Sequence, residues 1–320
     1  MRSWLLLVSL LVASPLSTGA DSYPAKPVRV IASFGPGSTV DLIARVVSQQ
    51  LSDQLGKSFV VDNRTGAGGS IGNGLAAKSP SDGYTLLFGE TGLTMLPGLF
   101  RSLPYDAVRD FTPVSQVVRT PMALVVHPSV KASSLKEFVA LAQASPGKLN
   151  YASAGVGSPV NLASELFKIM SRVDIAHVAY KGGGEMVTSV LGGQVQMLLT
   201  TMPTVLSQIN AGKVRALAVT TEGKRVSVLP DVPSMSEAGV SGMTIYTWSG
   251  LFGPAGMPKD IVARLHAEVV KAIAAPAVRE RFNVEGAEPV GSSPQEFAAH
   301  VRNELKRWAD VIKSAGIKAE

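Results

Sequence analysis

The chain has 320 residues, a formal net charge of +6 and an aromatic content of 6%. It contains no cysteine, which excludes disulfides, Cys-ligated zinc and thiol nucleophiles. The basic residues are spread along the chain with no stripe or aromatic platform among them, so we expect no nucleic-acid partner. The length suits two domains, each with its own core.

The first 20 residues (1–20) are predicted to be a cleaved secretory signal peptide. Arg2 gives a positive start, and an apolar run at 4–13 follows it. That run is shorter than the roughly 17–25 residues that span a bilayer. The segment ends in small residues at Ala20, and the lack of cysteine excludes a lipid anchor. We therefore predict export to the periplasm, with the mature chain starting near Asp21.

Apolar runs of strand length alternate with helical patterns along the mature chain. The first set is predicted as strand 28–34, helix 41–55, strand 59–62, helix 71–78 and strand 84–88. The second set is predicted as strand 123–126, helix 134–144, strand 149–152, helix 159–170, strand 176–179, helix 185–191 and strands 194–199 and 214–219. Helices 259–274 and 294–315 end the chain. This alternation predicts an α/β protein with parallel sheets flanked by helices.

The two sets of elements predict two lobes with a cleft between them. We expect the chain to cross between the lobes at 114–121 and 244–252. Lobe 1 is then discontinuous, comprising 21–120 plus 248–320, and lobe 2 comprises 121–247.

Three glycine-rich turns lie between a predicted strand and a predicted helix. They read Phe-Gly-Pro-Gly-Ser-Thr at 34–39, Ala-Gly-Val-Gly-Ser-Pro at 154–159 and Tyr-Lys-Gly-Gly-Gly at 180–184. Glycines let the backbone approach a ligand, and helix N-termini have unpaired N–H donors and a positive dipole end. Such turns bind an anion without lysine or arginine. Ordinary βα turns also use these residues, but three in one chain favour binding.

Signals for nucleotide, metal or catalytic sites are weak. The G-x-G segments that begin at Gly66 and Gly155 lack the third glycine of a dinucleotide fingerprint, and no Walker A motif occurs. The four histidines have no metal-binding spacing, and no G-x-S-x-G motif occurs. We therefore predict no cofactor, no metal and no catalytic residue. His177 and Glu90 are the first residues to consider if the protein is an enzyme.

The chain resembles the substrate-binding (Bug-type) receptors of tripartite tricarboxylate transporters from Pro24 to Ile317, almost the whole mature protein. The matching segments are 34–41, 62–72, 82–87, 103–106, 150–158, 180–184, 191–194, 229–233 and 253–256. The resemblance implies a two-lobed periplasmic binding protein fold, type II-like, that closes on a small organic anion. It also implies a monomer that delivers a di- or tricarboxylate or related organic acid to membrane permease subunits.

In that family the ligand lies between the first turn and the Ala-Gly-x-Gly-Ser turn. Carried over to this sequence, the implied ligand-binding residues are Phe34, Gly37, Ser38, Ala154, Gly155, Gly157 and Ser158, with Thr91 and Tyr180 as additions.

The sequence departs from the family at Ser38, where a second glycine is usual, and at Ser189 and Gln196, where an acid is common. The missing acid suggests a carboxylate ligand without an α-amino group. Two alternatives stay open: an exported hydrolase or isomerase on the same scaffold, and a ligand-sensing partner of a two-component signalling system.

Overall fold

The computed structural model describes residues 23–36, 38–180, 183–284 and 286–317. The predicted signal peptide and the predicted mature start at Asp21 lie outside these ranges. Within them, no helix has the length and apolar character that a bilayer crossing requires.

The described residues form ten strands, ten α-helices and a short 3-10 helix at Ala67–Gly69. The strands are β1 Val28–Ala32, β2 Phe59–Asn63, β3 Thr85–Glu90, β4 Phe111–Val126, β5 Asn150–Ser153, β6 Ala176–Ala179, β7 Met197–Thr201, β8 Arg215–Val219, β9 Tyr246–Pro254 and β10 Glu288–Pro289. The helices are α1 Thr39–Leu55, α2 Ser70–Ala77, α3 Gly92–Leu99, α4 Leu135–Ala144, α5 Pro159–Ser171, α6 Gly183–Leu191, α7 Met202–Asn210, α8 Lys259–Ala274, α9 Pro276–Val284 and α10 Pro294–Ser314.

The strands are hydrogen-bonded in the order β2-β1-β3-β9-β4-β7-β5-β6, and β8 and β10 also pair with β4. The outer pairs are parallel, whereas β9 and β4 pair antiparallel with each other and with their other neighbours. The α/β two-lobed class is confirmed, with antiparallel strands at the centre of the predicted parallel sheets. We call the part around β1–β3 the first lobe and the part around β5–β7 the second lobe.

The long strand β4 fixes how the two lobes face each other. It begins beside β9 in the first lobe and ends beside β7 and β8 in the second. Both β3 and β4 pair antiparallel with β9, so β1 and β3 run in the direction of β4 and their carboxyl ends face the second lobe. In contrast, β7 and its parallel neighbour β5 run against β4, so their carboxyl ends face the first lobe. The turns that follow these strands therefore meet in the cleft.

Each lobe has a buried core built from alternating strand residues. In the first lobe, Val30 packs with α1 and α8 on one face of the sheet, and Ile31 packs with Trp248 and Phe297 on the other. Consecutive strand residues point to opposite faces, so a run of apolar residues is buried on both sides by helices. The second lobe has one large core around Phe138.

Helix α10 contacts the cores of both lobes. Its first turns contribute Phe297 to the first lobe, and its last turns contribute Trp308 and Ile312 to the core of the second lobe. Helix α3 joins the same second-lobe core through Met95 and Leu99. The residue boundaries of the two lobes stay a prediction.

Candidate functional site

The first glycine-rich turn is held at the N-terminus of α1 by a polar network. Ser38 caps the helix by accepting a hydrogen bond from the Asp41 backbone N–H at 3.2 Å. Asn63 donates from Nδ2 to both the Phe34 carbonyl and the Asp41 carboxylate, each at 2.8 Å. Arg45 pairs with the buried Asp41. The sequence prediction missed Asn63 because a hydrogen bond to a carbonyl 29 residues earlier leaves no local pattern.

Replacing Asn63 with leucine is expected to destabilise the protein by about 1–3 kcal/mol, since the Phe34 carbonyl and the Asp41 carboxylate both lose a donor. Urea unfolding of N63L measures this change. Asn303, exposed on α10, offers a matched control because N303L makes the same substitution away from the cleft. Equal stability of N63L and N303L would contradict the role assigned to Asn63.

The second turn, at 154–159, uses its backbone N–H groups internally. The Gly155 N–H donates to Ser153 Oγ at 3.0 Å, and the Gly157 N–H donates to Asn161 Oδ1 at 2.9 Å. Ser158 caps α5 by accepting from the Asn161 N–H, and its hydroxyl donates to the Gly155 carbonyl at 2.8 Å. The N–H groups of Gly155 and Gly157 therefore already have acceptors in this structure, and these hydrogen bonds make the turn rigid.

His177 supports the second turn from β6. Its Nε2 lies 2.6 Å from Ser153 Oγ, and its ring stacks on Tyr151 with centroids 5.0 Å apart. Burial lowers the pKa of His177 below its ordinary value of 6.5, while the Glu165 carboxylate opposes that shift. Ser153 is fully buried. The pair therefore fixes the Gly155 turn, and the serine hydroxyl is shielded from any ligand in the cleft.

A cavity of about 200 Å³ lies in the cleft between the lobes. Four of the predicted site residues line it: Phe34, Ser38, Ala154 and Ser158. The others that line it are Thr39, Val40, Ile43, Glu90, Thr120, Pro159, Val160, Met186, Thr200, Thr201, Thr204, Thr247, Trp248 and Ser249. The lining is thus mostly aliphatic or aromatic surface with a row of hydroxyl groups.

The remaining predicted site residues take other positions. Thr91 is fully buried, and its hydroxyl accepts from the Trp248 N–H at 2.8 Å, which fixes β9 beside the cavity. Tyr180 packs partly buried against the second-lobe core. Gly155 and Gly157 belong to the turn described above and are not among the residues that line the cavity. Gly37 lies outside the described residues.

Three helices begin at the cavity wall. Thr39 and Val40 start α1, Pro159 and Val160 start α5, and Thr204 lies in the first turn of α7. First-turn N–H groups have no acceptor within their own helix, and the helix dipole places positive charge there. The N-terminus of α7 has no side-chain cap. The uncapped N–H groups at these helix starts are candidate donors for an anion, and α7 is a helix that the sequence patterns did not predict.

Glu90 is the only ionisable residue among the described residues that line this cavity. Burial raises its pKa from the ordinary 4.5 to about 7, and a hydrogen bond from the Gly92 N–H opposes the shift. The folded state thus favours the protonated form. The pKa of Glu90 is higher in the folded state than in the unfolded state, so protonation of Glu90 favours folding. This contribution to the folding stability is fully present below pH 4.5 and is lost as the pH rises from 4.5 towards 7.

Two of the other cavities in the described structure are larger than the cleft cavity. One of about 580 Å³ shares Ser38, Thr39 and Thr204 with the cleft cavity and extends it outward along the start of α6. A larger one, of about 720 Å³, lies on the first lobe between the starts of α8 and α10. There, Ser293 and Glu296 form a capping box that satisfies the N-terminus of α10.

No group of three or more metal-ligating side chains occurs within the described part of the chain.

A cleft between two α/β lobes, with helix N-termini aimed into it, defines the class of two-lobed solute-binding proteins. Residues 43–317 match the family model "Tripartite tricarboxylate transporter family receptor". The chain belongs to that family of periplasmic solute-binding proteins.

Individual relatives cover nearly the full chain. BugT of Bordetella pertussis is 38% identical over 309 residues, which are 96% of this chain and 94% of that protein. A UPF0065 protein from the tcbD-tcbE intergenic region of Pseudomonas sp. (strain P51) is 38% identical over 306 residues, 95% of this chain and 91% of that protein.

Solved structures agree with this assignment. Rpa4515 of R. palustris, solved with adipate, has a TM-score of 0.85 at 36% identity, covering 93% of this chain and 100% of that one. MatC from Rhodopseudomonas palustris, solved with bound malate, has a TM-score of 0.80 at 32% identity, covering 91% of this chain and 100% of that one.

Proposed function

We propose that this protein is a periplasmic receptor that binds a small carboxylate between its lobes and delivers it to a tripartite tricarboxylate-type permease. The observation that carries the proposal is the cleft cavity, where α1, α5 and α7 begin around a row of hydroxyl groups. Lysine, arginine and histidine are absent from its described lining. Helix N-termini and hydroxyls are the donors left for an anion.

The geometry supports tight binding only when the lobes are closed. A helix N-terminus contributes up to ~2 kcal/mol in a partly buried site. Two or three acting on one carboxylate give roughly 3–6 kcal/mol of the ~8 kcal/mol that micromolar affinity requires. Since α1 belongs to the first lobe and α5 and α7 to the second, a ligand reaches all of these donors only in the closed cleft.

Of the nine residues predicted from the sequence, the proposed ligand contacts are the four that line the cavity, Phe34, Ser38, Ala154 and Ser158, extended by Thr39, Val40, Val160, Thr201 and Thr204. Gly37, Thr91, Gly155, Gly157 and Tyr180 stay predictions from the sequence. The cavity lining supports this extension. Adipate and malate, bound by two relatives, are dicarboxylates without an amino group. That chemistry supports the expectation of a carboxylate ligand without an α-amino group.

A thermal-shift screen of organic acids, followed by calorimetry, tests the proposal. Adipate, malate or a related dicarboxylate is expected to raise the melting temperature, because a ligand at 100 times its Kd stabilises the folded state by about 2.7 kcal/mol. Aspartate and glutamate serve as matched ligands that add an ammonium group. Binding of the amino acids alone would contradict the ligand class, and turnover of a bound acid would favour an exported enzyme.

A further inference from the structure

Glu90 lies at the carboxyl end of β3, where it pairs in register with Ser249 of β9 and lines the cleft cavity. The residue is only 8% exposed. The Gly92 N–H donates to Oε1 at 2.8 Å. A Cβ atom on Gly92 would overlap that oxygen, so the carboxyl group is held close against the backbone. The second oxygen, Oε2, makes no hydrogen bond to the described residues.

No basic side chain among the described residues of the cavity wall neutralises this carboxyl group. Tyr105 lies ahead of β4, and its side chain is the titratable neighbour of Glu90. Burial raises the pKa of Tyr105, and the Glu90 charge adds to that rise. Trp248 and Ser249 of β9 and Phe34 of the first turn are its uncharged neighbours in the cavity wall. A ligand carboxylate in the same cavity would therefore meet a second negative charge if Glu90 were ionised. Two close carboxylates without a cation repel each other, and one of them takes up a proton.

We propose that Glu90 binds the ligand as a neutral carboxylic acid, donating its O–H to a ligand carboxylate oxygen, so that a receptor whose Glu90 is ionised takes up one proton with its anion. This inference rests on the proposed function. A hydrogen bond from a neutral acid to a carboxylate is short and charge-assisted. Protonated Glu90 then favours an anionic acceptor on the ligand over a neutral one.

The titration of Glu90 sets the pH range in which the effect is measured. The free receptor has a Glu90 pKa of about 7, and a bound anion raises it further. Affinity is expected to be constant well below pH 7 and to weaken about tenfold per pH unit well above it. Because burial lowers the pKa of His177 below 6.5, its titration falls on the acid side of this range.

Calorimetry with adipate and malate from pH 6.0 to 8.5, in buffers of different ionisation enthalpy, counts the protons taken up on binding. We expect uptake of about half a proton at pH 7, rising towards one at pH 8.5. E90Q keeps an N–H donor without titrating, so its affinity is expected to be independent of pH. Glu280, exposed on α9, provides the matched control, and E280Q is expected to keep the alkaline weakening.

The alternative outcomes separate the two proposals. A wild-type affinity that does not change between pH 6.0 and 8.5, or that strengthens as the pH rises, would overturn the role of Glu90 and leave carboxylate binding intact. Retention of the alkaline weakening in E90Q would also overturn it. Absence of binding to any carboxylate at any of these pH values would sink the proposed function itself. Proton uptake by the wild-type protein decides the matter even if E90Q fails to fold.

Discussion

Replacing Thr39 with proline is expected to weaken carboxylate binding by about 10- to 100-fold while leaving the fold intact. Thr39 is the first residue of α1 and lines the cleft cavity, and the proposed site uses its N–H as a donor to the ligand. Proline removes that N–H, and a hydrogen bond to a charged group contributes about 1.5–3 kcal/mol. Calorimetry on T39P with the best ligand of the screen measures the loss.

The backbone already suits proline at this position. Ser38 has φ −69° and ψ 156°, an extended conformation that the residue before a proline prefers. Proline is also well tolerated at the first position of a helix. The equivalent position of α5 is Pro159, preceded by Ser158 at φ −64° and ψ 153°. The second turn therefore shows that this local geometry accepts the substitution.

T39V is the matched control, because it removes the threonine hydroxyl and keeps the N–H. If T39P and T39V weaken binding equally, the backbone donor is not part of the site. A melting temperature of T39P close to that of the wild type would show that the loss arises in the ligand site.

Gly157→Ala is expected to destabilise the protein by about 2–6 kcal/mol. Gly157 has φ +79°, and a left-handed conformation costs a residue with a Cβ about 1–3 kcal/mol. The added Cβ would also overlap Leu99 Cδ1 of α3, and overpacking of this kind costs about 1–3 kcal/mol. Chemical denaturation measures the change, and ligand affinity should fall too because the turn positions the start of α5.

G155A separates the two causes. Gly155 has φ +103°, but no atom of the described residues beyond its chain neighbours lies within 4 Å of the position that an alanine Cβ would take. Alanine there is therefore strained without a collision. We expect G157A to be the less stable of the two variants. Equal stability would show that the contact between the second turn and α3 contributes nothing.

The sequence patterns predict two kinds of anion donor, the N–H groups of the glycine-rich turns and those at the starts of the following helices. In the structure, the Gly155 and Gly157 N–H groups have acceptors in Ser153 and Asn161, which stiffen the turn. Thr39 and Val160, at the helix starts, line the cavity. The turns thus position the helices that provide the donors.

The sequence by itself determined most of the elements and the local geometry of the turns. Predicted helix 259–274 and strand 176–179 match α8 and β6 residue for residue, since apolar spacing and local turns define them. Ser38 and Ser158 cap α1 and α5 as expected, because capping depends on residues only three positions apart. Helix α3 was missed because Gly92, Pro97 and Gly98 disfavour a helix in isolation.

Only the tertiary structure decided which residues meet in the cleft. The antiparallel pairing of β4 with β9 and β7 turns the carboxyl ends of both sets of strands towards each other, and no local pattern encodes that pairing. It brings Thr204 of α7 and Glu90 of β3 to one cavity, although 114 positions separate them in the printed sequence. It also buries Glu90 away from any basic side chain of the described lining. The burial and the charge environment of a carboxyl group depend on the whole fold. The sequence could therefore point to Glu90 as a residue to consider, but it could not predict the role proposed for it.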